Sequence, residues 1–361
     1  MSPSGRPDVD PAPGVWIRAV ARLASWLLPA HDAQEPKPEL ARILIVRPDD
    51  RVGNALLTIP LARALQEALP HARIDLLLAD KRAAVAEGLA GLHVVPFAKK
   101  DAFRAPLRFL RFLLALRRTG YDAALDAAHW HSFSLTSALL SRVASRHIVV
   151  GVERGPTSLY TRVAPLPFVG AREVPSKLEL MTPLGLTPPS PPPLETALGR
   201  SPEAAREVQR ALAPLGLTTF ALLNPGSRKA DHRLPAATYA RIADALFHAH
   251  GLRSLVTWGP GEEPLAREVT QLAPAATLYA PPTDLHALAA LLRACTLAIT
   301  NDTGPMHLAV ACGAKVAALF TSPDGARWSH DGPRFLALPT QGRTADALAS
   351  QIAGFASERA R

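Results

Sequence analysis

Short apolar runs alternate with longer segments of helical periodicity from residue 41 onward. In the first half of the chain, this pattern predicts buried parallel strands at 43–46, 74–78, 94–95, 123–126 and 148–150. The spacing of leucine and phenylalanine predicts helices over 56–69 and 103–118. Such alternation of strands and helices is typical of a doubly wound α/β sheet.

The second half of the chain repeats the alternation after a proline-rich segment. It predicts strands at 220–223, 254–258, 277–279 and 316–320, with a further strand ending at 299 or 300, and helices over 236–249, from 262, and over 285–293. We therefore predict two Rossmann-like domains. The expected boundaries are an N-terminal extension at 1–40, a first domain at 41–185, a proline-rich linker and helix at 186–218, a second domain at 219–340 and a C-terminal helix at 341–361.

The N-terminal extension contains a segment, 15–28, that is amphipathic at helical spacing. Trp16, Val20, Leu23 and Leu27 form its apolar stripe, and arginines lie on the opposite side. Such a helix fits either the surface of an anionic membrane or packing on the body of the protein. Residues before 15 are expected to be disordered. No run of about 20 apolar residues predicts a transmembrane helix.

Composition limits the classes of partner. Forty basic residues against 31 acidic ones give the 361-residue chain a formal charge of +9. This balance favours anionic partners such as a phosphorylated glycolipid, a membrane surface or nucleic acid. Because zinc-finger spacing, RNA-binding signatures and basic heptads are missing, we predict no nucleic-acid partner. Cys295 and Cys312 lie in apolar segments, which predicts buried thiols and a reducing, cytoplasmic location.

The stretch 300–320 contains the most informative pattern, which is a strand end, a tight loop, a short helix and a second strand. Pro305 suits the first position of the helix and Gly313 suits its end. The loop 301–304 therefore presents free backbone N–H groups and a helix N-terminus, which suit a phosphate or diphosphate. An ordinary βαβ turn fits the same residues.

Three other polar loops follow predicted strands. The first, 47–54, reads Arg-Pro-Asp-Asp-Arg-Val-Gly-Asn, and its acids suit either catalysis or helix capping. The second, 224–229, reads Asn-Pro-Gly-Ser-Arg-Lys and continues to His232 and Arg233. It fits a diphosphate site, because its glycine permits close approach and its cations neutralise charge, or a solvated basic loop. The third, 258–263, reads Trp-Gly-Pro-Gly-Glu-Glu, and its carboxylates suit ribose hydroxyls or a helix cap.

The motif His129-Trp130-His131 invites a metal interpretation. Two histidines one residue apart can ligate zinc, but no set of cysteine or acidic residues near them in sequence completes a site. We therefore predict no metal site. These aromatic side chains are expected either to line an acceptor pocket or simply to pack.

The polar loops together resemble those of glycosyltransferase family 9, the ADP-heptose:lipopolysaccharide heptosyltransferases. The sharpest element of the resemblance is Asn-Asp-Thr-Gly-Pro-Met-His at 301–307, and the motifs run in order from about 43 to 338. The resemblance implies a GT-B type fold, in which two Rossmann-like domains face a cleft, the first on the acceptor side and the second binding a nucleotide-sugar. The donor-binding residues that it implies are Asn224, Gly226, Ser227, Lys229, His232, Arg233, Glu262, Glu263, Asp302, Thr303, Gly304 and His307.

The resemblance also identifies a departure at the expected catalytic base. In the family an aspartate after a glycine, in the loop that follows the first strand, is the proposed base. Here Asn54 occupies that position, and an amide is too weak a base to take a proton. Asp50 or Asp49 then replaces it, the acceptor is activated differently, or catalysis is lost. The family's phosphate-binding lysine corresponds to His232, and Lys229 or a neighbouring arginine is an alternative source of that charge.

The function implied by the resemblance is that of an inverting glycosyltransferase. It would move a sugar, with heptose the one implied, from an ADP-sugar donor to a lipopolysaccharide-core or related glycan acceptor. The resemblance implies no cofactor and no metal requirement. We expect a cytoplasmic enzyme, with peripheral contact to the anionic inner membrane as a further expectation. The alternative is a catalytically silent nucleotide-sugar or glycolipid-binding homologue, which Asn54 supports. A dinucleotide-dependent oxidoreductase is disfavoured, because Gly-x-Gly-x-x-Gly follows neither opening strand.

Overall fold

Two parallel six-stranded sheets, one in each half of the chain, form the framework of the protein. The computed structural model describes residues 14–30, 40–167, 171–228 and 232–358. The chain divides into two units, Met1–Pro193 and Leu194–Arg361. The segment before residue 14, which the sequence predicts to be disordered, lies outside the described residues. Along the described part of the chain, no helix combines the length and apolar content needed to cross a membrane.

The first unit has the strand order β3-β2-β1-β4-β5-β6, with all neighbours parallel. Its strands are β1 (Arg42–Arg47), β2 (Arg73–Ala79), β3 (Leu92–Phe97), β4 (Tyr121–Asp126), β5 (Ser145–Val152) and β6 (Arg162–Ala164). Its helices are α1 (Val15–Leu27), α2 (Val52–Leu56), α3 (Ile59–Ala68), α4 (Asp101–Arg104), α5 (Pro106–Thr119), α6 (Leu135–Ala144) and α7 (Glu173–Leu178). The aliphatic strands β1 and β2 are buried almost throughout, which is why they lack polar alternation.

Helices α5, α6 and α1 pack side by side in the first unit, with α6 in the middle. Leu116 of α5 and Leu140 of α6 share one apolar cluster with Phe97. Ala21 of α1 is fully buried and packs in a second cluster with Ala138 of α6. The amphipathic N-terminal helix is therefore attached to the body of the unit, which was one of its two expected uses.

The second unit has the strand order β12-β11-β10-β7-β8-β9. Counted from the opposite edge, this is the same order as in the first unit, because the first strand of each unit lies between its second and fourth strands. Its strands are β7 (Ala221–Asn224), β8 (Ser254–Val256), β9 (Thr277–Tyr279), β10 (Leu297–Asn301), β11 (Val316–Phe320) and β12 (Phe335–Pro339). Its helices are α8 (Pro202–Leu212), α9 (Ala236–His250), α10 (Glu263–Leu272), α11 (Leu285–Ala294), α12 (Gly304–Ala311) and α13 (Ala345–Ser357). The predicted α/β class with two Rossmann-like units is confirmed.

The segment after the proline-rich run is bound to the second unit. Arg293 of α11 donates to the carbonyl oxygens of Leu198 and Thr196 at 2.8 and 2.7 Å, and α8 packs on α11. At the other end of the unit, α13 packs on α9, with Ile352 buried in the main apolar cluster. Both flanking helices thus pack on helices of the second unit.

Two predicted helices are interrupted where proline changes the backbone. The segment 56–69 is divided between α2 and α3, and Pro60 lies in the first turn of α3. The segment 103–118 is divided at Ala105, whose φ is −147°, because a residue before proline is disfavoured in helical conformation. The sequence analysis did not predict α6, α7, β6 or β12.

Candidate active site

The candidate site residues lie at the carboxyl ends of the strands where each sheet reverses its order. These topological switch points fall between β1 and β4 in the first unit and between β7 and β10 in the second. Loops that leave such a pair of strands diverge and create a crevice for a ligand. Each unit therefore has one edge at which a ligand is expected.

At the switch point of the second unit, Asn301 connects the loops that follow β7 and β10. Its Nδ2 donates to the carbonyl oxygens of Pro225 and Gly226 at 2.8 and 3.2 Å. Its Oδ1 accepts from the Tyr239 hydroxyl at 2.7 Å, and the side chain is fully buried. The first residue of the Asn-Asp-Thr-Gly motif therefore fixes the Asn-Pro-Gly loop. Asn224 itself points to β8, since its Nδ2 donates to Thr257 Oγ1 at 3.2 Å.

Glu262, from the loop that follows β8, packs directly against the backbone of Gly226. A Cβ atom at residue 226 would lie 1.9 Å from Glu262 Oε2, so any larger residue there would force the Glu262 side chain to move. The same carboxylate oxygen accepts from the Gly259 N–H at 3.0 Å. Glu262 thus joins the ends of β7 and β8, and its position beside the loop remains open to a ligand hydroxyl.

The loop 301–304 leads into α12, as the sequence predicted, although the helix begins at Gly304. Thr303 is the N-cap residue in extended conformation, and its side chain makes no capping bond. The first turn therefore leaves backbone N–H groups without intrahelical acceptors. Burial raises the pKa of Asp302 to about 7. An N-terminus with a neutral acid beside it suits an anionic ligand.

His307, in the second turn of α12, forms a hydrogen bond with His330. The distance between His307 Nδ1 and His330 Nε2 is 2.8 Å, so one nitrogen donates and the other accepts. The two rings are in edge-to-face contact, and Trp328 contacts His307 in the same manner. The segment Trp-Ser-His at 328–330 therefore holds the helix that follows the loop 301–304.

The other predicted donor residues take different positions. Arg233 Nε donates to the carbonyl oxygen of the buried Ser227 at 2.6 Å, and His232 is half-buried beside it. Glu263 turns away to its own helix and β9, where it accepts from Arg267 and from the Tyr279 hydroxyl at 2.9 Å. Lys229 lies outside the described residues.

At the switch point of the first unit, a buried arginine organises the loop after β1. Arg47 Nε lies 2.5 Å from Asp49 Oδ2, and Arg47 Nη1 donates to the Ala127 carbonyl oxygen at 2.8 Å. Asn54 Nδ2 donates to Asp49 Oδ1 at 2.7 Å. The carboxylate of Asp49 is thus held on both oxygens, while its side chain stays 36% exposed. Asp50 instead pairs with Arg82 at 3.0 Å and is 59% exposed.

Arg47 also contacts a histidine that is bound by a buried ion pair. Arg47 Nη2 donates to His129 Nε2 at 2.7 Å, and His129 Nδ1 lies 2.8 Å from Glu173 Oε1. Since Nε2 accepts, the proton is on Nδ1 and points to Glu173. Burial, followed by the charge of Arg47, lowers the pKa of His129 to about 3, so this imidazole is neutral.

Lys177 completes the network one helical turn after Glu173. Its Nζ donates to Glu173 Oε1 at 2.7 Å and to the Ala127 carbonyl oxygen at 3.0 Å. Burial alone would raise the pKa of Glu173, but the Lys177 charge and the His129 hydrogen bond hold it well below its usual value. Burial lowers the pKa of Lys177 to about 8. The network therefore contains one carboxylate, Glu173, a neutral histidine, His129, and two cations, Arg47 and Lys177.

A family model supplies the decisive comparison. The model of glycosyltransferase family 9 (heptosyltransferase) matches residues 109–339, which is more than half of the chain. The chain belongs to glycosyltransferase family 9. It is accordingly a glycosyltransferase, and the family expected from the sequence motifs is confirmed.

Curated and solved members of family 9 support the same conclusion. The chain is 27% identical over 286 residues to lipopolysaccharide heptosyltransferase 3 of Escherichia coli, covering 76% of this chain and 82% of that relative. Heptosyltransferase WaaC of E. coli, solved with ADP, matches with a TM-score of 0.68 at 23% identity, covering 87% of this chain and 99% of WaaC. The family 9 glycosyl transferase of Veillonella parvula matches with a TM-score of 0.69 at 22% identity, covering 84% of this chain and 87% of that one. These structures confirm the predicted GT-B type fold.

One group of side chains in this family 9 enzyme has the composition of a metal site. Donor atoms of His129, His131 and Glu173 lie within 4.8 Å of one another. The sequence analysis missed Glu173 because it is 44 residues from His129 in the chain. The local charges oppose a cation, however, because His129 Nε2 faces Arg47 and Glu173 Oε1 is bound by Lys177. Glu173 Oε2 has no hydrogen-bond partner within the described ranges. His129 and Glu173 thus take part in a hydrogen-bond network with Arg47 and Lys177.

A second buried network near the first switch point was also missed from the sequence. Asp126, the last residue of β4, accepts from the Tyr160 and Ser137 hydroxyls at 2.6 and 2.5 Å. Arg154 Nη2 lies 3.8 Å from the same carboxylate, and both side chains are fully buried. Burial, with the charge of Asp126, raises the pKa of Tyr160 well above its usual value. In the sequence, the signal for this network was an acidic residue, Asp126, at the end of an aliphatic strand.

Proposed function

We propose that this family 9 glycosyltransferase moves a heptose from an ADP-heptose donor to a lipopolysaccharide-core or related glycan, with inversion at the anomeric carbon. The observation that carries the proposal is the polar edge of the second unit, where Asn301 holds two loops beside the start of α12. Two relatives support the sugar, the acceptor and the nucleotide, because one is a lipopolysaccharide heptosyltransferase and another was solved with ADP. The chemistry of this edge supports a diphosphate in the donor, and the relatives support heptose as the sugar.

The proposed donor site uses the groups that suit a diphosphate. The N–H groups at the start of α12 and the cations Arg233 and, when protonated, His232 stabilise the negative charge that develops as the diphosphate leaves. Glu262 accepts hydrogen bonds from the ribose hydroxyls. Asp302, neutral below about pH 7, can donate to a phosphate oxygen. Lys229 remains a proposed contact from outside the described residues.

Asp49 is the proposed general base. Asn54 stands where the family's aspartate is expected, and its amide holds Asp49 Oδ1 at 2.7 Å. The amide therefore places a neighbouring carboxylate close to the expected position. In the reaction, Asp49 accepts the proton of the acceptor hydroxyl as its oxygen bonds to the anomeric carbon. The bond from that carbon to the diphosphate breaks, and ADP leaves with the electron pair.

A transfer assay with matched variants tests this proposal. Wild type, Asp49→Asn and Asp50→Asn are compared with ADP-heptose and a panel of truncated lipopolysaccharide acceptors, and ADP binding is measured separately. We expect Asp49→Asn to lower kcat by about 100-fold or more with ADP affinity unchanged. Asp50→Asn makes the same charge change one residue away and should stay within a few-fold of wild type.

Three other results would contradict parts of the proposal. Loss of turnover in Asp50→Asn alone would make Asp50 the base. ADP binding without turnover on any acceptor would favour the catalytically silent homologue that Asn54 suggested. Absence of ADP binding would refute the donor assignment.

The remaining expectations about location and partners are part of the same proposal. The two cysteines, Cys295 and Cys312, are free thiols, which agrees with a reducing cytoplasm. We propose a cytoplasmic enzyme at the inner membrane that needs no nucleic-acid partner and no bound metal. The electrostatic argument against a cation at His129 supports the last point.

A further inference from the structure

Two helices of the first unit expose large apolar side chains that the core does not use. We propose that these side chains form a docking surface for an anionic phospholipid bilayer. We call it the two-helix face; its members are Trp16, Leu23, Trp26 and Leu27 of α1, Leu107, Leu110 and Leu114 of α5, and Phe103 just before α5. The sequence analysis proposed membrane contact for α1 only.

The two helices of this face are held by the same neighbour, α6. Arg117 of α5 donates to the carbonyl oxygens of Arg142 and Val143 at 3.2 Å, near the end of α6. Arg142 of α6 in turn donates to the Leu28 carbonyl oxygen at 2.8 Å, at the end of α1. Side chains on α1 and α5 are therefore presented by a fixed layer of helices.

Helix α5 is apolar on two sides, and only one side serves the fold. Phe109, Phe112 and Leu116 pack inward in the apolar cluster of the first unit. Leu107, Leu110 and Leu114 recur at helical spacing on the outer side, where they stay exposed. A helix that only covered the sheet would carry polar residues at those positions.

Charge selects an anionic membrane as the occupant. Helix α1 contains two arginines and α5 contains four, of which Arg117 is bound to α6 and Arg108 to Asp101; neither helix contains an acidic residue. Asp101, just before α5, is neutralised by an ion pair with Arg108. Arginines beside leucine and tryptophan side chains attract anionic headgroups while the apolar groups enter the interface. A bilayer can contact both the apolar side chains and the arginines along the whole length of α1 and α5.

Vesicle co-sedimentation tests the inference on the full chain, without donor or acceptor. The vesicles contain phosphatidylglycerol and phosphatidylethanolamine, with pure phosphatidylcholine as the neutral comparison. Leu110→Glu and Trp26→Glu are each expected to weaken binding by about tenfold or more. The matched control is Leu272→Glu in the second unit, because Leu110 and Leu272 are 51% and 52% exposed. Leu272→Glu should bind the vesicles like wild type, and added salt should weaken vesicle binding by both proteins.

Specific results would overturn the inference. The proposed membrane docking is wrong if the wild-type protein does not bind anionic vesicles. It is also wrong if Leu110→Glu binds them as strongly as wild type does. Self-association of wild type that Leu110→Glu abolishes, without vesicle binding, would assign the face to a second copy of the chain. An unchanged thermal unfolding transition in each variant excludes misfolding.

Turnover is read separately with ADP-heptose and a lipid-free acceptor. Leu110→Glu should leave that turnover unchanged, since the face contains no proposed catalytic group. If vesicle binding follows the pattern above but wild type shows no turnover, the proposed reaction fails and the docking surface stands.

Discussion

Replacement of Asn301 by alanine tests the contact that holds the donor edge together. The substitution removes a fully buried side chain that donates to the Pro225 and Gly226 carbonyl oxygens and accepts from the Tyr239 hydroxyl. Leaving a buried polar group without a partner costs about 1 to 3 kcal/mol. Because three buried groups each lose a partner, we expect the free energy of unfolding of the second unit to fall by about 3 kcal/mol or more. ADP affinity should fall as well, since the loop after β7 loses its anchor.

Urea unfolding and ADP calorimetry measure the two effects. Tyr239→Phe removes only the hydroxyl of the Tyr239–Asn301 pair, and the double variant completes a cycle. We expect a coupling energy of about 1 kcal/mol or more between the two sites. Ser254→Ala is the control, because the Ser254 hydroxyl is buried without a hydrogen-bond partner in the described part of the chain. Its removal should change stability by less than about 0.5 kcal/mol.

The reasoning is refuted if Asn301→Ala lowers the free energy of unfolding by less than about 1 kcal/mol, which is the net value of a single hydrogen bond. It is also refuted if the coupling with Tyr239 is close to zero. An ADP affinity that stays at the wild-type value in a destabilised variant would leave Asn301 a structural residue and remove its role in the donor site.

Three further predictions concern ionisation and metal. Because burial raises the pKa of Asp302 to about 7, this acid is neutral below that pH and charged above it. The dissociation constant for ADP, measured by calorimetry, should therefore rise above pH 7. In Asp302→Asn the same dissociation constant should not change across this pH range. Asn54→Asp would bring a second carboxylate to Asp49, where the present contact is 2.7 Å; the pair would share a proton, so the acid limb of the kcat profile should move to higher pH. Dialysis against a chelator should leave turnover unchanged, because Arg47 and Lys177 occupy the neighbourhood of His129 and Glu173; a loss that Zn²⁺ or Fe²⁺ restores would contradict the electrostatic argument.

The fold was accessible from the sequence because its signals are local. A buried parallel strand such as β1 needs only a run of aliphatic residues between charges. Pro305 and Gly313 mark both ends of α12 within a few residues. Helix α6 was not predicted because serines and an arginine, including the buried Ser137 and Arg142, interrupt its apolar pattern. The hydrogen bonds that allow these polar side chains to be buried are visible only in the folded unit.

The site was accessible only as separate loops. Sequence motifs located the loops around Asn224 and Asp302, but Asn301 as the link between them depends on which strands are neighbours in the sheet. Glu173 is a stronger example, because no local pattern connects it to His129. Buried polar partners are chosen by three-dimensional proximity, and a single sequence carries no measure of it.

The division of the chain at Pro193 has a consequence for synthesis. Each unit uses one uninterrupted half of the chain, and the last helix, α13, packs on α9 of the second unit. All residues of the first unit are therefore synthesised before translation of the second begins, and they leave the exit tunnel while the second unit is still being made. At bacterial rates the second unit takes on the order of 10 to 30 seconds to complete, and isolated domains of this size commonly fold faster than that. The first unit is thus free to fold co-translationally, and a nascent chain arrested far enough beyond Pro193 for that residue to clear the exit tunnel should already resist proteolysis.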